Sequence, residues 1–406
     1  MKNIVFWLRL SVFNFLLVAV LGVLMRYKIA FSLPFVEQKN VQEAHSHFAF
    51  YGWITQIIYA FVLLYLKRNL PNHNLSKYFT LMKTNLLASY LMLIAFLYSG
   101  YFWASILASA VALLVSFVFS FYLWKDLRSS KDLVRYWFLG GFFFAVISSF
   151  GVFALSYMKI FGNITQDWYL ASTYYYLHFQ YNGFFMLMAI GLLLDTFRRM
   201  GAEIDARQNQ LIFWLSFLGC LVGYGLSVLW MKIPVWLFII IVLATLSQTF
   251  AAFRLLGFVR RNFPKIAPQL LPVQKLLLGV SGFAFVVKIL LQLGSNIPEI
   301  SQFAFGFRNV VIAYLHLVLL MCLSVFFLFQ FFYEKVFVVT KFVIIGVKTL
   351  VLGILLNELL LGIMGVLSIK YIAIPNTQYY LLAVSVMMLV GLILMVSSLK
   401  EDKTFS

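Results

Sequence analysis

Twelve apolar runs, each about as long as a bilayer is thick, follow one another along this chain, and that repetition constrains its fold more than any other feature. A helix of about 20 apolar residues crosses the hydrocarbon core, where no water satisfies open backbone groups, so each run is expected to be a closed α-helix. The runs fall at residues 5–25, 44–66, 81–98, 103–124, 136–158, 169–194, 211–231, 235–258, 273–293, 310–332, 337–361 and 379–399. All eight prolines lie between them, as suits a residue that interrupts helical hydrogen bonding. The narrowest break is Ser99-Gly100-Tyr101, between the third and fourth runs. With 63% hydrophobic and 11% charged residues, no polar segment is long enough for a separate soluble domain. Residues 1–406 therefore read as one all-α, polytopic membrane bundle of about twelve helices, with the lipid bilayer as its first partner.

The net charge of +18 does not point to nucleic acid, because the basic residues sit in short loops and are not gathered on one face. Their distribution sets orientation instead. Both termini and the loops after even-numbered runs hold 21 of the 31 Lys and Arg residues, so both termini are expected in the cytoplasm. The first run is too long for a signal-peptide core, carries Arg9 and lacks a clear small-residue cleavage site, so it is expected to stay as a span. Cys220 and Cys322 both lie in apolar runs and read as small packed hydrophobes. No internal repeat is legible, and Walker or Rossmann phosphate loops are absent.

Four histidines carry the chemical interest. His45 and His47 open the second run, His178 lies about nine residues into the sixth, and His316 about six into the tenth. These three runs point the same way, and at 1.5 Å per residue the imidazoles share the outer half of the membrane within about 12 Å of depth. An imidazole in hydrocarbon needs a partner, which is either a haem-type metal or a carbonyl or hydroxyl on a neighbouring helix. Gln180 and Asn182 are the nearest such groups for His178. Residues two apart on a helix point about 200° away from each other, so His45 and His47 cannot both face one iron. His73, beside Pro71 in a polar loop, reads as a solvated residue. Other charges inside runs, Lys288, Lys348 and Glu358, read as snorkelling or interhelical pairs, with a proton or ion path as the sharper alternative.

The pattern of twelve helices with histidines on the second, sixth and tenth resembles the catalytic subunit I of haem–copper oxidases and nitric oxide reductases. The second-run stretch AHSHFAFYGW is similar to the segment that supplies a low-spin haem ligand. TYYYLHFQYNGFF in the sixth resembles the segment with the first copper ligand, and IAYLHLVLL in the tenth resembles the family's His-x-His segment. The resemblance implies that His316 and one of His45 and His47 ligate a low-spin haem, most simply haem b. It places Tyr314 where the high-spin haem ligand would stand, and leaves the seventh run without the two copper histidines. Copper is therefore not expected at His178, since a lone imidazole holds it poorly, and oxygen reduction is not expected either.

Aromatic and apolar groups near the histidines, Phe48, Phe50, Trp53, Tyr314 and Leu317, are candidates to pack on the ring. Arg308, with Arg26, Lys28, Lys39 and Lys370, is a candidate partner for the propionates. The implied role is electron transfer, redox sensing or respiratory assembly in a bacterial plasma membrane, with other respiratory-chain subunits or a cytochrome as candidate partners. Whether the chain is an enzyme stays open. Two other readings stand beside this one: a secondary transporter, and a scaffold of the same fold that holds no cofactor.

Overall fold

The computed structural model describes residues 2–71, 73–162, 164–301, 307–368 and 370–397, with the side chains of Lys2, Asn3 and Arg308 outside that description. None of the described residues lies in a strand, and twelve helices are long and apolar enough to cross a membrane. They are α1 (Ile4–Ala30), α2 (Gln38–Asn69), α3 (Ser76–Ser99), α4 (Trp103–Leu127), α5 (Arg135–Phe161), α6 (Gln166–Arg199), α7 (Ala206–Val228), α8 (Val235–Gln269), α9 (Pro272–Gly294), α10 (Asn309–Tyr333), α11 (Lys341–Ser368) and α12 (Thr377–Val396). The short break between α3 and α4 turns at Gly100, where φ is +61°.

Several helices outrun their apolar stretches. α2 begins six residues early in the polar segment Gln38–Glu43, and α8 carries on through Phe258 into polar sequence. The expectation that every proline interrupts a helix fails at Pro264, which lies inside the helical part of α8. Water can satisfy the carbonyl a proline leaves unpaired once the helix has passed its apolar stretch, and Pro264 sits only two residues before that helical segment ends at Ile266.

The chain divides into two compact units. Unit 1 comprises residues 1–119 and 324–406, and unit 2 comprises residues 120–323. In unit 1, α2 forms the core: nearly every residue from Phe48 to Leu66 is buried. A helix apolar all round belongs in an interior, and this one packs accordingly. Trp53 stacks on Phe15 of α1 at 4.5 Å and donates its indole N–H to Ser324 of α10 at 2.9 Å. α11 and α12 approach backbone to backbone, since a Cβ on Gly391 would meet the Leu350 amide nitrogen at 2.7 Å. Small residues permit that approach in lipid, where dispersion and not water expulsion drives helix association.

In unit 2, α6 is the buried helix, with 89% of its most apolar window inside. One end of unit 2 is held by an ion network. Arg198 donates to both carboxylate oxygens of Asp132, at 2.7 and 3.0 Å, and to Asp195 at 2.7 Å, while Arg199 pairs with Asp195 at 3.1 Å. The Asp132 and Asp195 side chains are nearly buried, but Arg198 is 35% exposed and screened in part by solvent. Asp132→Ala should therefore lower thermal stability by only about 1–2 kcal/mol, read as a small drop in melting temperature in detergent.

Candidate functional site

The histidine-bearing spans share a backbone feature that separates them from the other nine. Immediately after His47, His178 and His316 the helix loosens into a π-helical stretch, at Phe48–Thr55, Phe179–Phe185 and Leu317–Ser324. A π turn accommodates one extra residue and lets carbonyls tilt out of the regular ladder, and such turns concentrate at functional sites. In α2 two of these carbonyls are claimed by side chains from flanking helices. Asn14 of α1 donates to Gly52 O at 2.6 Å, and Asn85 of α3 donates to Tyr51 O at 3.1 Å. In α10, Cys322 O accepts from Ser281 of α9 at 2.7 Å. These three polar residues were not singled out by the sequence reading.

The local sequence explains the first two stretches. Both read His-Phe-x-x-x-Gly, as His47-Phe48…Gly52 and His178-Phe179…Gly183. A Cβ on Gly52 would lie 2.6 Å from the Phe48 ring, and one on Gly183 would lie 2.5 Å from the ring of Phe144 on α5. Only glycine leaves room for those rings. The third stretch has Met321 at the matching position. A histidine followed by a π turn thus recurs at every fourth span, although no sequence repeat carries it.

The histidines differ in how their nitrogens are used, and the neighbours fix the tautomers. A ring nitrogen facing a carbonyl oxygen must carry the proton. In unit 1, His45 donates from Nδ1 to Val18 O of α1 at 3.1 Å, and its Cε1 lies beside Gly22. His47 donates from Nδ1 to Glu43 O of its own helix at 2.9 Å. Its ring stacks on Phe96 at 4.2 Å, and the Tyr101 hydroxyl lies 3.3 Å from its Nε2. The two rings therefore face different neighbours, one towards α1 and the other towards α3 and the turn that follows it. This is the divergence expected of positions two apart on a helix.

In unit 2, His316 donates from Nδ1 to Ile312 O at 2.8 Å, the same own-helix anchor that His47 uses. His178 is the opposite tautomer and is 2% exposed. It donates from Nε2 to Cys220 O of α7 at 2.8 Å, and its Nδ1 accepts from Asn182 Nδ2 at 3.2 Å. Of the two partners suggested by the sequence, Asn182 takes the role, while Gln180 turns to Ser148 of α5. Both nitrogens of His178 are thus engaged in protein hydrogen bonds. The Tyr314 ring lies edge-on to Tyr181 at 6.0 Å.

A ligand imidazole has Nδ1–H anchored to a carbonyl or carboxylate, which orients the ring and leaves the Nε2 lone pair for the metal. His45, His47 and His316 have that Nδ1-to-carbonyl anchor, and His178 does not. Among the described residues no three His, Cys, Asp or Glu side chains gather into a group able to hold a metal ion. Cys220 and Cys322 are both free and buried. Arg308, the candidate propionate partner, has its side chain outside the described residues. Phe48 and Trp53 already pack in the core of unit 1, Phe48 edge-on to Tyr90 and Trp53 on Phe15. His73 is exposed, as a loop residue should be. No protein-family model matches the chain, and no curated protein matches it.

Proposed function

We propose that the chain is an integral membrane protein related to subunit I of the haem–copper oxidases. In this reading it holds one low-spin haem b through His316 and His45, and passes single electrons without reducing oxygen. The observation that carries this reading is the Nδ1-to-carbonyl anchor of both rings, which presets the tautomer a haem ligand needs. His45 is assigned over His47 because the ring of His47 is stacked on Phe96. When bound, the haem supplies a one-electron iron couple whose potential is set by its axial ligands and their hydrogen bonds. The chain's part is to orient two imidazoles and to keep water out with the apolar spans that carry them. His178, with both nitrogens committed, holds α6 to α7 and is not a copper ligand in this reading.

The same proposal places both termini in the cytoplasm of a bacterium, on the loop charge bias, and makes a cytochrome or another respiratory subunit the electron partner. The test is a reduced-minus-oxidised spectrum of protein purified from cells supplied with haem, joined to haem and copper quantification. Sharp low-spin bands at about one haem per chain are expected. A featureless spectrum removes the proposal. His45→Ala should abolish the bands while His47→Ala and His73→Ala keep them, and the reverse result for His45 and His47 would exchange their roles.

A further inference from the structure

A second polar centre lies in unit 2, independent of any haem ligand. Lys288 is on α9 and is 3% exposed. Six residues separate it from the end of the helix at Gly294, a depth of about 9 Å along the axis. A charge at such a position costs several kcal/mol unless it finds partners, and none of the ion pairs among the described residues includes Lys288. Its partners are amides. Nζ donates to Gln292 Oε1 at 2.8 Å, and Gln292 Nε2 donates in turn to Gln248 Oε1 on α8. Lys288 and Gln292 are one turn apart on the helix, and Asn296 lies in the turn beyond its end, where Nδ2 donates to Leu293 O at 2.9 Å and the buried Oδ1 has no hydrogen-bond partner.

Lys288 borders a cavity of about 30 Å³, whose polar lining is Lys288, Gln248, Ser216 and Asn182. The orientation of Asn182, 6% exposed, follows from His178. Because His178 Nε2 faces the Cys220 carbonyl, Nδ1 is the acceptor and Asn182 must present Nδ2 to it. Asn182 Oδ1 is thereby turned away from the imidazole, and it has no hydrogen-bond partner. A buried acceptor left so costs about 1–3 kcal/mol. One water needs about 10–15 Å³ of such space and two to four polar partners, and the cavity exceeds the first and offers the second. The other titratable groups acting on this amine are the Cys220 and Cys322 thiols and the His178 imidazole.

We propose that this cavity is a hydrated proton-exchange site. One or two waters bridge the Lys288 amine and Asn182 Oδ1. Lys288 alternates between ammonium and amine, giving its proton to the adjoining water or taking one from it. Waters oriented by the Gln292 and Asn296 amides carry that proton to or from the aqueous phase at the α9 end. No electron moves and no covalent bond to carbon forms.

X-ray hydroxyl-radical footprinting tests the water, because radicals made from bound water oxidise the side chains next to it. Met186 lines the cavity, and Met395, in unit 1, is fully buried and serves as the comparator. Met186 should oxidise at least about fivefold faster than Met395, and Asn182→Leu should bring it down to the Met395 rate. Equal rates in the wild-type protein would overturn the proposal without recourse to any variant. The proton is read by ¹⁵N spectra of lysine-labelled protein in D₂O, with the Lys288 signal identified by its loss in Lys288→Arg. The side-chain Nζ hydrogens should exchange at least about tenfold faster in the wild-type protein than in Asn182→Leu. Equal Nζ exchange in the two proteins would equally overturn it.

Discussion

Purified His316→Ala protein is expected to lose its low-spin haem bands completely and to retain at least about tenfold less haem than the wild type. Losing even an outer hydrogen bond to a ligand typically costs 10–100-fold in metal affinity, so loss of the ligand itself must cost no less. The fold should survive, because His316 is only partly buried and its anchor is a carbonyl of its own helix. Unchanged circular dichroism and gel filtration would show that the loss is local. The control is His178→Leu. It removes the hydrogen bonds to Cys220 O and Asn182, so it should lower stability and leave the bands in place. If the bands persist in His316→Ala and vanish in His178→Leu, the ligand assignment is wrong and His178 replaces His316.

The second large effect concerns stability. Asn85→Leu should destabilise unit 1 by about 2–4 kcal/mol. Asn85 is fully buried and donates to two acceptors, Tyr51 O at 3.1 Å and Gln56 Oε1 at 2.7 Å. Leucine fills the space but leaves both acceptors short of that donor, at about 1–3 kcal/mol each when nothing else approaches. Part of this is recovered, since Asn85 Oδ1 is itself buried without a hydrogen-bond partner and leucine removes it. A reversible unfolding titration in mixed micelles reads the difference. Asn85→Ala is the sharper control, because the smaller side chain lets a water reach both acceptors and should cost less than leucine. A leucine variant as stable as the wild type would mean that the π turn in α2 needs no help from α3.

The spans were legible because hydrocarbon imposes a length and a composition together, and few other environments do. Their ends were not, because hydropathy reports where a helix sits and not where its hydrogen bonds stop. Gln38–Glu43 and Arg260–Ile266 are polar and helical, so α2 and α8 extend past the apolar windows, and Pro264 falls inside a helix. The histidines were found by their rarity in apolar runs. Their tautomers depended on partners as distant as Val18 and Cys220, and no local pattern encodes these. The π turns left a faint trace in the shared His-Phe-x-x-x-Gly, which becomes meaningful only once Phe48 and Phe144 are seen lying over the two glycines. Lys288 reads from sequence as snorkelling or an interhelical pair, whereas its partner Gln292 stands one turn along the same helix.

The π turn of α2 also bears on how such a chain tolerates insertion and deletion. A helix advances about 100° per residue, so the extra residue held in each turn is a stored rotation between the two halves of the span. Losing a single in-frame codon there, that of Ala49 for instance, would let the regular ladder close. It would also swing His45 and His47 by that angle relative to the buried half that follows. At these three places a one-codon deletion should therefore re-aim a histidine more than any amino-acid exchange, while leaving the length and hydrophobicity of the span almost untouched.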